Sequence, residues 1–156
     1  MRFPLIKLIN FRNPFCILQQ NLVLSLIKKI QNFEHKTHLK IPFSTKIELF
    51  LMNQILQPVC SDSFGHNFSL PNKGYVALSL LTKNIHERWG TKIVENYVKE
   101  GDYVVDLGAN IGYYTLIFAK LVGKKGKVFA FEPDKDNFRL LKKNIQTNCY
   151  SNIVFN

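Results

Sequence analysis

Tyr103-Val-Val-Asp-Leu-Gly-Ala-Asn-Ile-Gly-Tyr-Tyr-Thr115 is the stretch that decides the fold. The apolar run from Tyr103 to Val105 reads as a buried strand that Asp106 closes, and Gly108 and Gly112 bracket the turn after it. From Gly112 onward Tyr114, Ile117, Phe118 and Leu121 recur at steps of three and four, the spacing of a helix. Strand, glycine turn and helix open a βαβ unit, whose helix N-terminus offers free N–H groups to an electron-rich ligand.

The downstream chain repeats the alternation. Gly123-Lys-Lys-Gly126 predicts a tight helix-to-strand loop, and Lys127 to Phe131 a second strand ending at Glu132-Pro133. Asp134 or Asp136 caps a following helix with Phe138, Leu141 and Ile145 inward, and Ile153-Val-Phe155 forms a third strand. Alternating strands and helices predict a parallel sheet.

Upstream the pattern is different. A helix is predicted over residues 16–32, with Leu22, Val23, Leu26, Ile27 and Ile30 on one face. Lys46 to Leu56 fits a helix or a strand equally. A turn-rich stretch around Phe68–Leu70 fits a small hairpin or an edge strand, and Val76 to Leu81 is a further short apolar run. Glu87 to Lys99 reads as a helix with Ile93, Val94, Tyr97 and Val98 facing inward and Trp89 seating it. The chain therefore divides into a helical or irregular extension with a short hairpin, residues 1–85, and an incomplete Rossmann-like α/β domain, residues 86–156.

Composition bounds the rest. The 156 residues carry a formal charge of +10, but eight of the basic residues lie in residues 1–60 against two acids, scattered without a block of like charge. That distribution predicts a solvated basic surface and no nucleic-acid partner. Cys16, Cys60 and Cys149 are far apart with no CxxC, and His35, His38, His66 and His86 lack ligand spacing, so reduced thiols, histidines mostly on the surface or in loops, and no metal are expected. The longest uncharged run near the start, Asn13 to Ile27, has 15 residues, short of the ~20 that span a bilayer. No stable membrane insertion and a cytoplasmic location follow as expectations.

The ligand is narrowed by what the turn lacks. A dinucleotide fingerprint wants glycines at its first, third and sixth positions. Counting from Gly108, the third position is Asn110 and the sixth is Tyr113, which disfavours a nicotinamide dehydrogenase. GxxxxGK[ST] is absent. What remains is D-x-G-x-N-x-G with an acid, Glu132, at the end of the next strand, about 4.8 Å away across the sheet. A carboxylate there accepts both hydroxyls of a ribose, while Asp106 holds an ammonium directly or through water. S-adenosylmethionine, with a ribose, no phosphates and a charged amino-acid tail, meets those demands.

Val104-Val-Asp-Leu-Gly-Ala-Asn-Ile-Gly-Tyr-Tyr-Thr115, Gly126-Lys-Val-Phe-Ala-Phe-Glu-Pro-Asp134, and Asn137-Phe with Leu140-Leu-Lys-Lys-Asn144 closely resemble FkbM-type methyltransferases. The resemblance covers about residues 85–156. It implies a class I S-adenosylmethionine-dependent fold, with Asp106, Gly108, Ala109, Asn110 and Gly112 as the cofactor loop, Glu132 on the ribose and Glu87 as a cofactor-proximal acid. It further implies O-methylation of a sugar, glycolipid or secondary-metabolite hydroxyl, hence a small-molecule or glycan acceptor. No general base is assigned. Because a full class I sheet has seven strands and three are counted here, truncation after the third strand is expected, with self-association through an exposed sheet edge. The alternative reading is a non-catalytic cofactor-binding or regulatory remnant of such an enzyme.

Overall fold

A computed structural model describes residues 14–42, 44–52, 59–71 and 74–156. In chain order the elements are α1 (Pro14–Thr37), α2 (Ser44–Met52), β1 (Val59–Ser61), β2 (Asn67–Ser69), α3 (Tyr75–Lys83), α4 (Arg88–Tyr97), β3 (Tyr103–Leu107), α5 (Tyr113–Val122), β4 (Lys127–Phe131), α6 (Lys135–Thr147) and β5 (Ile153–Phe155). One 3₁₀ turn, Gly123–Lys125, joins α5 to β4.

Strands β3, β4 and β5 form a parallel sheet in that order, with Tyr103 opposite Lys127 and Val128 opposite Ile153. This is the Rossmann-like α/β half-sheet expected from the alternation. Helices α5 and α6 bury Leu116, Ile117, Val122, Leu141 and Ile145 together with Val128 and Ala130 of the central strand. Asp134 caps α6 by accepting from the N–H groups of Asp136 and Asn137, which leaves the chain no freedom where β4 hands over to the helix. Gly126 permits the tight approach before β4, because a Cβ there would lie 2.5 Å from the Asp102 carbonyl oxygen and 2.5 Å from Val122.

The other face of this sheet is open. Tyr103, Val105 and Leu107 of β3, Phe131 of β4 and Val154 of β5 are exposed. Helix α4 adds to the same apolar exposure, contrary to expectation. Trp89 is 82% exposed, Ile93 57% and Tyr97 78%, while only Val94 and Val98 are half-buried. The apolar residues run more than halfway round α4, but the helix meets α5 along one narrow face, so the periodicity is right and the buried side is smaller than the pattern.

Helix α1 packs on α2 and α3. Its buried face is also narrower than predicted, with Val23 and Ile27 inside and Leu22 and Leu26 exposed. The ambiguous Lys46–Leu56 run is helical as far as Met52, and its remainder lies outside the described residues. The Val76–Leu81 run belongs to α3, where Ala77, Leu78, Leu80 and Leu81 are all buried. Burial on so broad a face erases the polar positions that would have marked a helix.

Strands β1 and β2 pair antiparallel as a hairpin. Asp62 holds its turn, accepting from the N–H groups of Phe64 and His66 through Oδ1 while Oδ2 lies 2.9 Å from His66 Nδ1. His66 Nε2 then lies 2.9 Å from the Tyr150 hydroxyl. His66 is a loop residue, as expected, but it is buried there, 3% exposed. A buried imidazole with both ring nitrogens partnered satisfies the rule that buried polar groups are bonded. Among the described residues no helix is long and apolar enough to cross a membrane.

Candidate cofactor site

The turn between β3 and α5 alternates its backbone hand. Gly108 has φ +78°, Asn110 +51° and Gly112 +92°. Glycine takes such angles freely, and asparagine is among the few other residues that accept them. Gly112 is constrained twice, because a Cβ on it would meet Leu141 Cδ1 at 2.8 Å.

The loop's own N–H groups are largely spent inside the protein. Gly108 and Ala109 both donate to the Phe131 carbonyl at 2.9 Å, and Gly112 donates to Ala109 at 2.8 Å. Asn110 donates to Glu132 Oε2 at 2.6 Å, while Glu132 Oε1 accepts from Asp134 N–H at 2.8 Å. Amides occupied in this way cannot cradle a pyrophosphate, which supports on geometric grounds the exclusion drawn from Asn110 and Tyr113. Each carboxylate oxygen of Glu132 retains a lone-pair direction for a further donor.

Asp106 stands at the end of β3 on the helix-covered side. Thr115, in the first turn of α5, donates its hydroxyl to Asp106 Oδ2 at 2.5 Å. Burial pushes the Asp106 carboxyl above its ordinary range, the Thr115 bond opposes this, and the charge of Glu132 adds to it. Among the described residues no cation pairs with Asp106. Two carboxylates thus flank one loop, a field that favours a cationic ligand.

This makes a testable statement about stability. Because the folded protein holds the Asp106 proton more tightly than the unfolded chain does, the ionised carboxylate opposes folding above the folded pKa. The penalty fades as pH falls through that pKa and is gone below the ordinary carboxylate range. Asp106→Asn, which keeps an acceptor for Thr115, is expected to raise the melting temperature at pH 7 and to lose that advantage in the same scan near pH 3.5. A lower melting temperature at pH 7 would show that the carboxylate is a net stabiliser.

Glu87 is placed apart from this pair, at the N-terminus of α4, in a left-handed conformation with φ +46° and ψ +63°. It approaches the loop by way of α5, where Tyr114 donates to Glu87 Oε2 at 3.0 Å. Asp106, Gly108, Ala109, Asn110, Gly112 and Glu132 therefore form one contiguous cluster, whereas Glu87 is bonded outside it, to Tyr114 on α5.

Two contributors lie outside the sequence reading. Thr115 belongs to the quoted stretch, but nothing in its spacing marks it as the partner of Asp106. Asn144 is fully buried and binds both Ser69 of the hairpin and the Ile111 carbonyl of the loop. Its signal was available, since it is an amide on the apolar stripe of α6 between Leu141 and Ile145.

Over residues 75–156 the sequence matches the TRM5/TYW2 methyltransferase domain. The chain belongs to the TRM5/TYW2 methyltransferase domain family. It carries an S-adenosylmethionine-dependent methyltransferase domain. Among curated relatives, a "Probable cobalt-precorrin-6B C(15)-methyltransferase (decarboxylating)" of Sulfurisphaera tokodaii is 40% identical over 55 residues, covering 35% of this chain and 29% of the relative. Protein-L-isoaspartate O-methyltransferase 1 of Archaeoglobus fulgidus is 32% identical over 57 residues, covering 36% and 26%. Among solved structures, M. jannaschii TYW2 in complex with AdoMet is 27% identical, covering 65% of this chain and 45% of that one at a TM-score of 0.46. The chain spans under a third of the length of these two curated relatives.

Membership of the TRM5/TYW2 family corrects two expectations. The FkbM resemblance led to the right enzyme class and cofactor, but the family matched is TRM5/TYW2. The expectation of no nucleic-acid partner is overturned, because this family acts on tRNA. The composition argument asked for a contiguous basic block. A folded surface needs none, since it can gather cations that are dispersed along the chain.

Proposed function

We propose that this TRM5/TYW2 domain binds S-adenosylmethionine at the Gly108–Gly112 loop and serves methylation of an RNA base. Residues 86–156 act as the cofactor-binding unit, and residues 1–85 as an extension docked on it through the hairpin, in a cytoplasmic protein. The observation that carries the cofactor assignment is the pair of carboxylates, Asp106 and Glu132, flanking a loop whose amides are bonded internally. A ligand with a ribose, a positive charge and no phosphate complements that arrangement. Gly108, Ala109, Asn110 and Gly112 shape the loop, Glu132 accepts from the ribose hydroxyls, and Asp106 and Glu87 face the amino-acid tail.

The chemistry supplied by this cofactor is an in-line displacement. A lone pair on the acceptor attacks the methyl carbon as the carbon–sulfur bond breaks, giving S-adenosylhomocysteine, and any proton on the acceptor is lost to solvent or a base. The sulfonium provides most of the driving force, so the protein contributes mainly orientation and water exclusion. The net charge of +10 favours a polyanionic acceptor through long-range attraction. The FkbM-like motif favours a second acceptor class, the hydroxyl of a sugar, glycolipid or secondary metabolite.

The test is calorimetric binding of S-adenosylmethionine, followed by transfer of labelled methyl to unmodified tRNA and, in parallel, to a glycolipid pool. The expected result is binding with label in RNA. Label in the glycolipid alone would move the acceptor to the second class. Absence of binding would remove the cofactor assignment.

A further inference from the structure

The first turn of α5, which follows the Gly108–Gly112 loop, is bonded to the residue that precedes α4. Glu87 holds a left-handed backbone conformation that a residue with a long side chain adopts only at a cost, commonly repaid at functional sites. As the residue preceding α4 it makes no side-chain cap for that helix. Its carboxylate turns instead to the Tyr114 hydroxyl on α5.

The space for that bond is made by a missing side chain. A Cβ on Gly90 would lie 2.5 Å from the Tyr114 hydroxyl oxygen and 3.6 Å from Glu87 Oε2. Tyr114 is itself fixed, edge-on to Tyr113 at 5.1 Å and stacked on Phe118 at 6.0 Å between ring centroids. Burial and then the bond to Glu87 push the Tyr114 hydroxyl up to about 12, so it stays a donor at neutral pH. The neighbouring Thr91 and Tyr113 hydroxyls, 2.9 Å apart, hold the same two helices together. α4 therefore has a separate clamp on α5, and the Tyr114–Glu87 bond has as its remaining effect the direction of the carboxylate.

We propose that Tyr114 is a positioning residue, which through the gap at Gly90 aims the Glu87 carboxylate at the ammonium of the cofactor's amino-acid tail. The proposal rests on S-adenosylmethionine being the ligand. It adds that recognition of the tail is set from outside the glycine loop, by the first turn of α5 acting on the residue that precedes α4. Tyr114 touches no reacting atom; it acts through Glu87.

Two ligands and three substitutions test this on the full chain by calorimetry. S-adenosylmethionine carries the tail, and 5′-methylthioadenosine shares its adenosine but lacks the tail. Tyr114→Phe removes the donor, and Gly90→Ala displaces it while leaving both partners in place. Each is expected to weaken S-adenosylmethionine by about fivefold to tenfold, the scale of one ordinary net hydrogen bond, and to leave methylthioadenosine within twofold. In a Glu87→Gln background, Tyr114→Phe is expected to change nothing further. Equal losses for both ligands would show a merely structural contact and overturn the proposal, as would unchanged binding by Tyr114→Phe. If the unsubstituted chain binds neither ligand, the cofactor reading fails and the positioning role falls with it.

Discussion

Replacing Glu132 with alanine is expected to weaken S-adenosylmethionine binding by about 100-fold or more, with little loss of fold. Two separable losses combine. The ribose loses a charged acceptor for its hydroxyls, and such bonds contribute roughly 1.5–3 kcal/mol each. The loop also loses its brace, because Glu132 takes the N–H of Asn110 through one oxygen and that of Asp134 through the other. Glu132 is half-buried at the rim of the site, so water can replace it at the two amides and the stability cost stays near 1 kcal/mol. Glu132→Gln separates the contributions, since it retains one acceptor oxygen and is expected to recover part of the affinity. Titration of both variants with S-adenosylmethionine reads this directly. Affinity within about threefold of the parent for Glu132→Ala would remove the ribose assignment, whatever the fate of the loop.

The largest effect on stability is expected at Asn144. Its Oδ1 accepts from Ser69 N–H at 2.7 Å, and its Nδ2 donates to the carbonyls of Ser69 at 3.1 Å and Ile111 at 2.8 Å. Leucine has nearly the same shape and none of these bonds. Asn144→Leu strands three backbone groups around a side chain that is fully buried, and each such group costs about 1–3 kcal/mol. A loss of about 4 kcal/mol follows, or a fall in melting temperature of roughly 8–16 °C for a chain of this size. Urea denaturation with an unchanged m-value is the cleanest measurement. A loss under about 1 kcal/mol would mean that water fills the site, and that the hairpin is not held to the cofactor loop through this amide.

The parts of this protein that were readable in its sequence are those where local pattern and tertiary environment agree. β3, the loop, α5, β4, α6 and β5 follow one another in the predicted order, because strands and helices that alternate under one sheet keep their own periods; the strand read as buried is covered on one face only, with Tyr103 and Val105 exposed on the other. The Gly108–Gly112 loop was readable for a different reason. Gly108, Asn110 and Gly112 are the residue types that positive φ demands, so the backbone wrote itself into the sequence.

Other features were hidden because they depend on which surface a residue meets. Ile93 and Tyr97 carry an inward pattern on a helix with too small a neighbour. His66 lies in a loop, as read, yet its burial was hidden, because Asp62 and Tyr150, 84 positions further along the chain, enclose it. Tyr113 and Tyr114 entered the sequence reading only through the glycine fingerprint and the helical spacing, which point to core or helix-start packing. Tyr113 is buried as that predicts, while Tyr114 also carries a hydroxyl bond to Glu87 that no spacing rule contains. The expectation of no nucleic-acid partner failed for the same kind of reason, since charge counted along a chain says little about charge gathered on a surface.

The internal bonding of the cofactor loop has a thermodynamic consequence. With Gly108, Ala109, Asn110 and Gly112 already donating to Phe131, Glu132 and Ala109, the loop is finished before any ligand arrives. Little conformational entropy is left to lose on association, so the gross interaction energy passes into affinity with a small ordering penalty. A site built this way discriminates by shape from the first encounter. A ligand that fits it meets a loop already formed.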